Sequence, residues 1–228
     1  MCGRYSASRP SSLLAETYAA TVADEPPAPS WNVAPTDPVA VVVERPAGRE
    51  VRTLRWGLIP SWAEDRRIAS RLINARAETV ATKPAFRAAL ARRRCLVPAD
   101  GWYEWRAEPG RAKQPFFITA RAGAGVAFAG LYEVWRDPAT EELVRTCTVV
   151  TTSACPELAY LHERMPVVLA PGAWDAWLDP AYDDVASLAG LLVPCDGFGA
   201  HPVSVAVNSV RNNGPQLTEP LPADEALF

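Results

Sequence analysis

Residues 94–106 read RCLVPADGWYEWR. Aliphatic and aromatic side chains fill two short runs, Arg94–Ala99 and Gly101–Arg106, with Asp100 between them. Both read as strands. The pattern continues downstream in Gln114–Thr119, Val126–Trp135 and Leu143–Thr152, with Asp137-Pro138 turning between the last two. Upstream, Pro38–Glu44 (PVAVVVE) and Val51–Trp56 flank the turn Pro46-Ala47-Gly48. Pro166–Leu169 and Val203–Val207 read as later strands. Helical spacing is confined to residues 10–22, 83–93, a short piece at Cys155–Leu161, and the segments around Trp174–Trp177 and Asp183–Leu192. Strands outnumber helices and follow one another through turns. The expected fold is α+β: a predominantly antiparallel β-sheet or barrel-like core flanked by short helices, in a single domain over residues 1–228 with an acidic tail from about 215 to 228.

Composition narrows the function classes. A hydrophobic share of 49% and a charged share of 21% in 228 residues are globular values. No apolar run is long enough to span a bilayer, and no signal-peptide layout opens the chain, so no membrane role and a cytoplasmic location are expected. The five cysteines (Cys2, Cys95, Cys147, Cys155 and Cys195) are odd in number and never spaced as CxxC, which argues against a disulfide framework or a structural metal site. No cofactor fingerprint is present. The net charge of −3 excludes a protein that coats nucleic acid indiscriminately. It conceals an asymmetry. From residue 165 onward one basic residue, Arg211, faces eight acidic ones, a balance of −7, which leaves +4 on residues 1–164.

Chemistry can start at the front of the chain, Met1-Cys2-Gly3-Arg4. A small second residue lets the initiator be trimmed, and Cys2 then carries an α-amine and a thiol on adjacent carbons. An α-amine titrates at about 7.7–8.0, far below a lysine at about 10.4. Such an aminothiol condenses with an aldehyde through an imine that the sulfur closes into a five-membered ring. A thiolate attacking an acyl group is the other use of the same residue. The ordinary alternative is a frayed terminus.

Three further positions could move protons or orient a substrate. Strand alternation sets Trp102 and Glu104 on one face, Tyr103 and Trp105 on the other. A carboxyl beside large aromatics is poorly solvated and its pKa rises; the alternative is an exposed strand-end glutamate. Of the two histidines, His162 lies between a predicted helix and Pro166, among charges, whereas His201 reads as a plain loop residue. A core or surface role stands beside a chemical one for His162. Asn74, in non-regular backbone with Ala75-Arg76, offers an amide for an imine, a sugar hydroxyl or an oxyanion, or simply caps a helix. Arginines such as Arg4, Arg76, Arg87 and Arg164, together with eight tryptophans including Trp62, suit phosphates and bases of a single strand.

Taken in order, Met1-Cys2-Gly3-Arg4, Asn32-Val33-Ala34-Pro35-Thr36, Arg55-Trp56-Gly57-Leu58-Ile59-Pro60, Asn74-Ala75-Arg76-Ala77-Glu78-Thr79, Pro98–Trp105, Phe128–Glu133, Thr151-Thr152, His162–Pro166 and Val207-Asn208-Ser209 resemble the SOS-response-associated peptidase (SRAP) family of abasic-site-processing proteins. The resemblance spans nearly the whole chain. It implies binding of single-stranded DNA, alone or at a junction with duplex, by a monomer. Cys2, freed of Met1, would join the ring-opened abasic sugar as a thiazolidine. The resemblance further implies that Asn74 orients the opened sugar, that Glu104 shuttles protons, and that His162 assists these transfers or strand cleavage. Arg4, Arg76, Arg164 and Arg87 would hold DNA, with Trp62 near the bases. The loop after Trp62, residues 63–68, carries no aromatic side chain. Two other readings stay open: an N-terminal-nucleophile cysteine peptidase or amidase pairing Cys2 with His162, and a non-catalytic reader of modified DNA bases.

Overall fold

The strand patterns above assemble as follows in a computed structural model, which describes residues 2–107, 110, 112–123, 125–182 and 184–222. Met1, Asp183 and residues 223–228 of the tail lie outside the described residues. In chain order the strands are β1 (Tyr5–Ala7), β2 (Ala20–Val22), β3 (Ser30–Val33), β4 (Pro38–Arg45), β5 (Gly48–Trp56), β6 (Asn74–Arg76), β7 (Arg94–Ala99), β8 (Gly101–Arg106), β9 (Gln114–Ala120), β10 (Val126–Arg136), β11 (Leu143–Ser153), β12 (Arg164–Pro166) and β13 (Phe198–Pro202). The helices are α1 (Ser11–Tyr18), α2 (Arg87–Arg92), α3 (Trp174–Leu178) and α4 (Val185–Gly190).

Period-two alternation explains the layering. Val39, Val41 and Val43 of β4 point into one core with Cys95, Val97 and Phe128, while Val42 joins Leu96, Ala129 and Leu131 in a second core beneath the helices. β4, β5, β11, β10 and β7 close on themselves. Four of the five pairings are antiparallel, and the ring is sealed by a parallel contact of β11 with β5, Cys147 opposite Trp56. Gly57 leaves the barrel here at φ +118°, where a side chain would be strained and a Cβ would lie 2.9 Å from the Ala69 carbonyl oxygen. The second sheet, β13-β9-β8-β1-β3, is antiparallel throughout. The expectation of a mainly antiparallel α+β domain with short helices holds. Among the described residues no helix is long and apolar enough to cross a membrane.

Several local expectations are corrected. The helix expected over 10–22 stops at Tyr18: Ala19 turns left-handed at φ 49° and caps it, and Ala20–Val22 becomes a strand beside β5. The 83–93 helix shrinks to Arg87–Arg92. Cys155–Leu161 forms successive turns rather than a helix. Asn74–Arg76 is regular after all, a strand parallel to β11. At the late strand the register moves: Phe198–Pro202 pairs with β9, so His201 lies in a strand opposite Phe117, and Val205–Asn208 is a 3-10 turn capped by Ser204. Pro202 cannot donate a ladder hydrogen bond and ends the pairing. Within the tail, Leu217 is buried against Tyr103, Phe117 and Val203.

Candidate active site

Register brings the front of the chain to Glu104. Tyr5 of β1 pairs with Trp102 of β8, and the Tyr103 N–H donates to the Arg4 carbonyl at 3.0 Å. Cys2, three residues before Tyr5, lies close enough to Glu104 for the carboxylate charge to act on its thiol. Cys2 is not frayed: it is 0% exposed and belongs to the barrel core. The Asn74 Nδ2 group donates to the Cys2 carbonyl oxygen at 2.7 Å. Its Oδ1 is buried with no partner, an acceptor left open in the site.

Glu104 is 4% exposed, which overturns the alternative of a solvated strand-end carboxylate. It shares its face with Trp102, and burial pushes its carboxyl up to about 7. Burial also drives the Cys2 thiol well above its ordinary value, and the nearby Glu104 charge adds to the effect. The thiol therefore rests protonated next to a carboxyl poised to exchange a proton near neutrality.

His162 lies two residues before Arg164, the first residue of β12. β11 is flanked at one end by β6 and β12, and Thr151 stands in register with both Arg76 and Pro166. Asn74, Arg76, Arg164 and the residue leading into β12, His162, are thus gathered at that end. The His162 Nδ1 accepts from the Arg164 N–H at 2.9 Å. A neutral ring then carries its proton on Nε2. Burial is the main cause that lowers its pKa.

The arginines are placed unequally. Arg4 donates through Nη1 to Asn32 Oδ1 at 2.7 Å and to the Val207 carbonyl at 2.8 Å, and lies 5.9 Å from the Trp105 ring centre. Its Nε is buried without a partner. The Arg164 guanidinium grips both Glu78 oxygens, at 2.5 and 3.0 Å, and the Thr151 carbonyl at 2.7 Å. Arg76 is exposed on β6, two residues beyond Asn74. Arg87 is exposed in the first turn of α2. Trp62 is 58% exposed above a shallow concavity shared with Arg67, Ile68 and Arg71.

Some contributors stood in the sequence only as parts of motifs, with no role assigned. Asn32 donates to the carbonyls of Val207, Ser209 and Asn212, and Trp105 Nε1 donates to Asn208 Oδ1 at 2.7 Å. Together with Arg4 they bind the 205–212 segment to the Cys2 strand. The signal was a polar side chain between Trp31 and Val33, where burial obliges it to find partners. Glu78, the clamp on Arg164, gave no signal of its own. Outside the site, the Cys155 sulfur and the Glu157 and Asp196 carboxylates lie within 4.8 Å of one another, and Glu157 is ion-paired with Arg121 at 3.0 Å. This group was not visible from cysteine spacing.

Fold and site together define a class: a barrel protein whose second residue is built into a buried cluster with an amide and a carboxyl close by. The model of the SOS response associated peptidase (SRAP) family matches residues 1–210, and the chain belongs to that family. It is 42% identical over 193 residues to the abasic site processing protein YoqW of Bacillus subtilis (strain 168), covering 84% of this chain and 86% of the relative. It is 34% identical over 229 residues to the abasic site processing protein YedK of Escherichia coli (strain K12), covering 97% and 100%. A crystal structure of a protein from Bacteroides thetaiotaomicron superposes with a TM-score of 0.87 at 27% identity, covering 96% of this chain and 100% of that one.

Proposed function

We propose that this protein, freed of Met1, captures abasic sites in single-stranded DNA as a covalent thiazolidine on Cys2. The α-amine of Cys2 adds to the C1′ aldehyde of the ring-opened sugar. The carbinolamine loses water to give an imine. The Cys2 sulfur adds to the imine carbon and its proton passes to nitrogen, closing the ring; the net change is aldehyde plus aminothiol to thiazolidine plus one water. Glu104, with its carboxyl near 7, donates the proton that releases water and takes the thiol proton in turn. The open Asn74 Oδ1 accepts from a hydroxyl of the opened sugar, while its Nδ2 fixes Cys2. His162 assists proton transfer around the sugar. Arg4, Arg76 and Arg164 supply positive charge for the neighbouring phosphates, and Trp62 and Arg87 extend the DNA surface. The protein acts as a monomer.

The observation that carries this reading is the convergence of Asn74 and Glu104 on a buried Cys2, supported by relatives named abasic site processing proteins. A thiolate hydrolase needs its cysteine pKa lowered; here burial and Glu104 raise it, which weighs against a peptidase acting on other proteins. The test is incubation with abasic and intact single-stranded oligonucleotides. An adduct that survives heat and denaturant, forms only with abasic DNA and is lost in Cys2→Ala supports the proposal. Peptide hydrolysis without adduct, or reversible binding alone, overturns it.

A further inference from the structure

Trp102, Glu104 and Arg106 occupy alternate positions of β8 and so share a face. Antiparallel pairing sets Phe116 of β9 opposite Glu104, and Gln114 opposite Arg106. The Arg106 guanidinium lies 5.0 Å from the centre of the Phe116 ring. Tyr160, from the 155–161 turns that lead into His162, meets Phe116 edge to face, with centres 6.3 Å apart and planes at 89°. Phe116 is buried, whereas Tyr160 is 54% exposed. An edge-to-face contact occupies at most one face of the Tyr160 ring, and with 54% of the residue exposed, part of the ring is open to solvent.

This aromatic pair stands immediately beside the proton-transfer carboxyl. Glu104 and Arg106 are two residues apart along one strand, about 7 Å, a span that one nucleotide bridges. The exposed Lys113 adds positive charge that reaches His162, and the exposed Glu163 opposes it. An open ring framed by cations suits a nucleobase with its phosphate: the ring offers a stacking surface to any base, and the cations answer the backbone.

We propose that Tyr160, propped on Phe116 beside Arg106, stacks on the base adjoining the abasic nucleotide and so holds the lesion in register with Cys2 and Glu104. This inference rests on the function proposed above for Cys2. It makes Tyr160 a positioning residue, acting on the neighbour of the reacting sugar.

The test uses the full-length protein and a single-stranded oligonucleotide carrying tetrahydrofuran, an abasic analogue that cannot open to an aldehyde, with 2-aminopurine as its 5′ or 3′ neighbour. The parent protein is expected to quench 2-aminopurine on one side. Tyr160→Ala and Tyr160→Leu abolish that quenching and weaken binding at least about fivefold, while Tyr160→Phe retains both. Tyr160→Leu keeps apolar bulk over Phe116, so it separates loss of the ring from loss of packing. Quenching unchanged in Tyr160→Leu, or absent from the parent on both sides, overturns the inference. Covalent capture of a natural abasic oligonucleotide is measured in parallel. Capture with no Tyr160-dependent quenching overturns this inference alone, and failure of the parent to capture overturns the function on which it rests.

Discussion

The Asn74 side chain holds the backbone of Cys2, Nδ2 to carbonyl oxygen at 2.7 Å, across 72 positions of sequence. β6 reaches this position because it runs parallel to β11 in the register Asn74–Val149, on the same strand whose contact with β5 seals the barrel. Asn74→Ala removes the donor and the acceptor together. Misplacing a reacting group by an ångström costs up to about 10²-fold in rate. Single-turnover adduct formation is therefore expected to slow about ten- to a hundredfold, while the thermal midpoint, which one net hydrogen bond of about 1 kcal/mol governs weakly, barely moves.

Glu104 predicts the pH profile. Its carboxyl, raised to about 7 by burial, donates below that value, whereas the Cys2 amine, at about 7.7–8.0 when unperturbed, attacks above it. Adduct formation should follow a bell with its maximum between the two. In Glu104→Gln the limb near 7 disappears and the residual rate rises only with deprotonation of the amine. A pH–rate series on both proteins checks this.

The same residue costs stability. A carboxyl whose folded pKa lies above its unfolded value of about 4.3 binds more protons when folded, so stability is highest below the unfolded value and falls as pH rises through the folded one. Between pH 4 and pH 8 the loss is about 3 kcal/mol. Glu104→Gln should match the parent in urea unfolding at pH 4 and exceed it at pH 8.

Glu78 occupies both ends of the Arg164 guanidinium, and that pairing holds the Glu78 carboxyl below the usual range. Removing its negative charge in Glu78→Gln frees a cation beside the exposed Arg76. Affinity for single-stranded DNA should rise and the salt dependence steepen, since one more phosphate contact adds about 0.7 to the slope of log affinity against log salt. Titrations at several salt concentrations read both effects.

Asn32 is the structural counterpart. Its Nδ2 donates to three carbonyls and its Oδ1 accepts from Arg4. Asn32→Leu takes this donor from the Ser209 and Asn212 carbonyls, at about 1–3 kcal/mol each, while Arg4 and the Val207 carbonyl keep each other. A drop of about 3 kcal/mol or more is expected in denaturant unfolding.

Legibility in the sequence followed the physics. The long alternating runs of β4, β10 and β11 bury both faces and could be read directly, as could the face shared by Trp102 and Glu104. Short strands could not. Tyr5–Ala7, Ala20–Val22 and Asn74–Arg76 are three residues each and exist only because a neighbour pairs with them, which no local pattern records. The late strand moved to Phe198–Pro202 because pairing with β9 outweighed the β-branched run that follows. Cys2, Asn74, Glu104 and His162 were found as residue types able to do chemistry. The juxtaposition of Cys2, Asn74 and Glu104 came from registers, Tyr5 with Trp102 and Asn74 with Val149, which are set by long-range pairing. Glu78 and Asn32 act through partners 86 and 175 positions away.

The central claim is that nitrogen and sulfur of the same mature Cys2 close on one sugar carbon. Intact-mass spectrometry tests it most directly, on the protein alone and after incubation with an abasic single-stranded oligonucleotide. The account predicts a polypeptide lacking Met1 and a conjugate equal to protein plus oligonucleotide less one water, absent from Cys2→Ala. A conjugate formed equally well by protein that retains Met1 would contradict it.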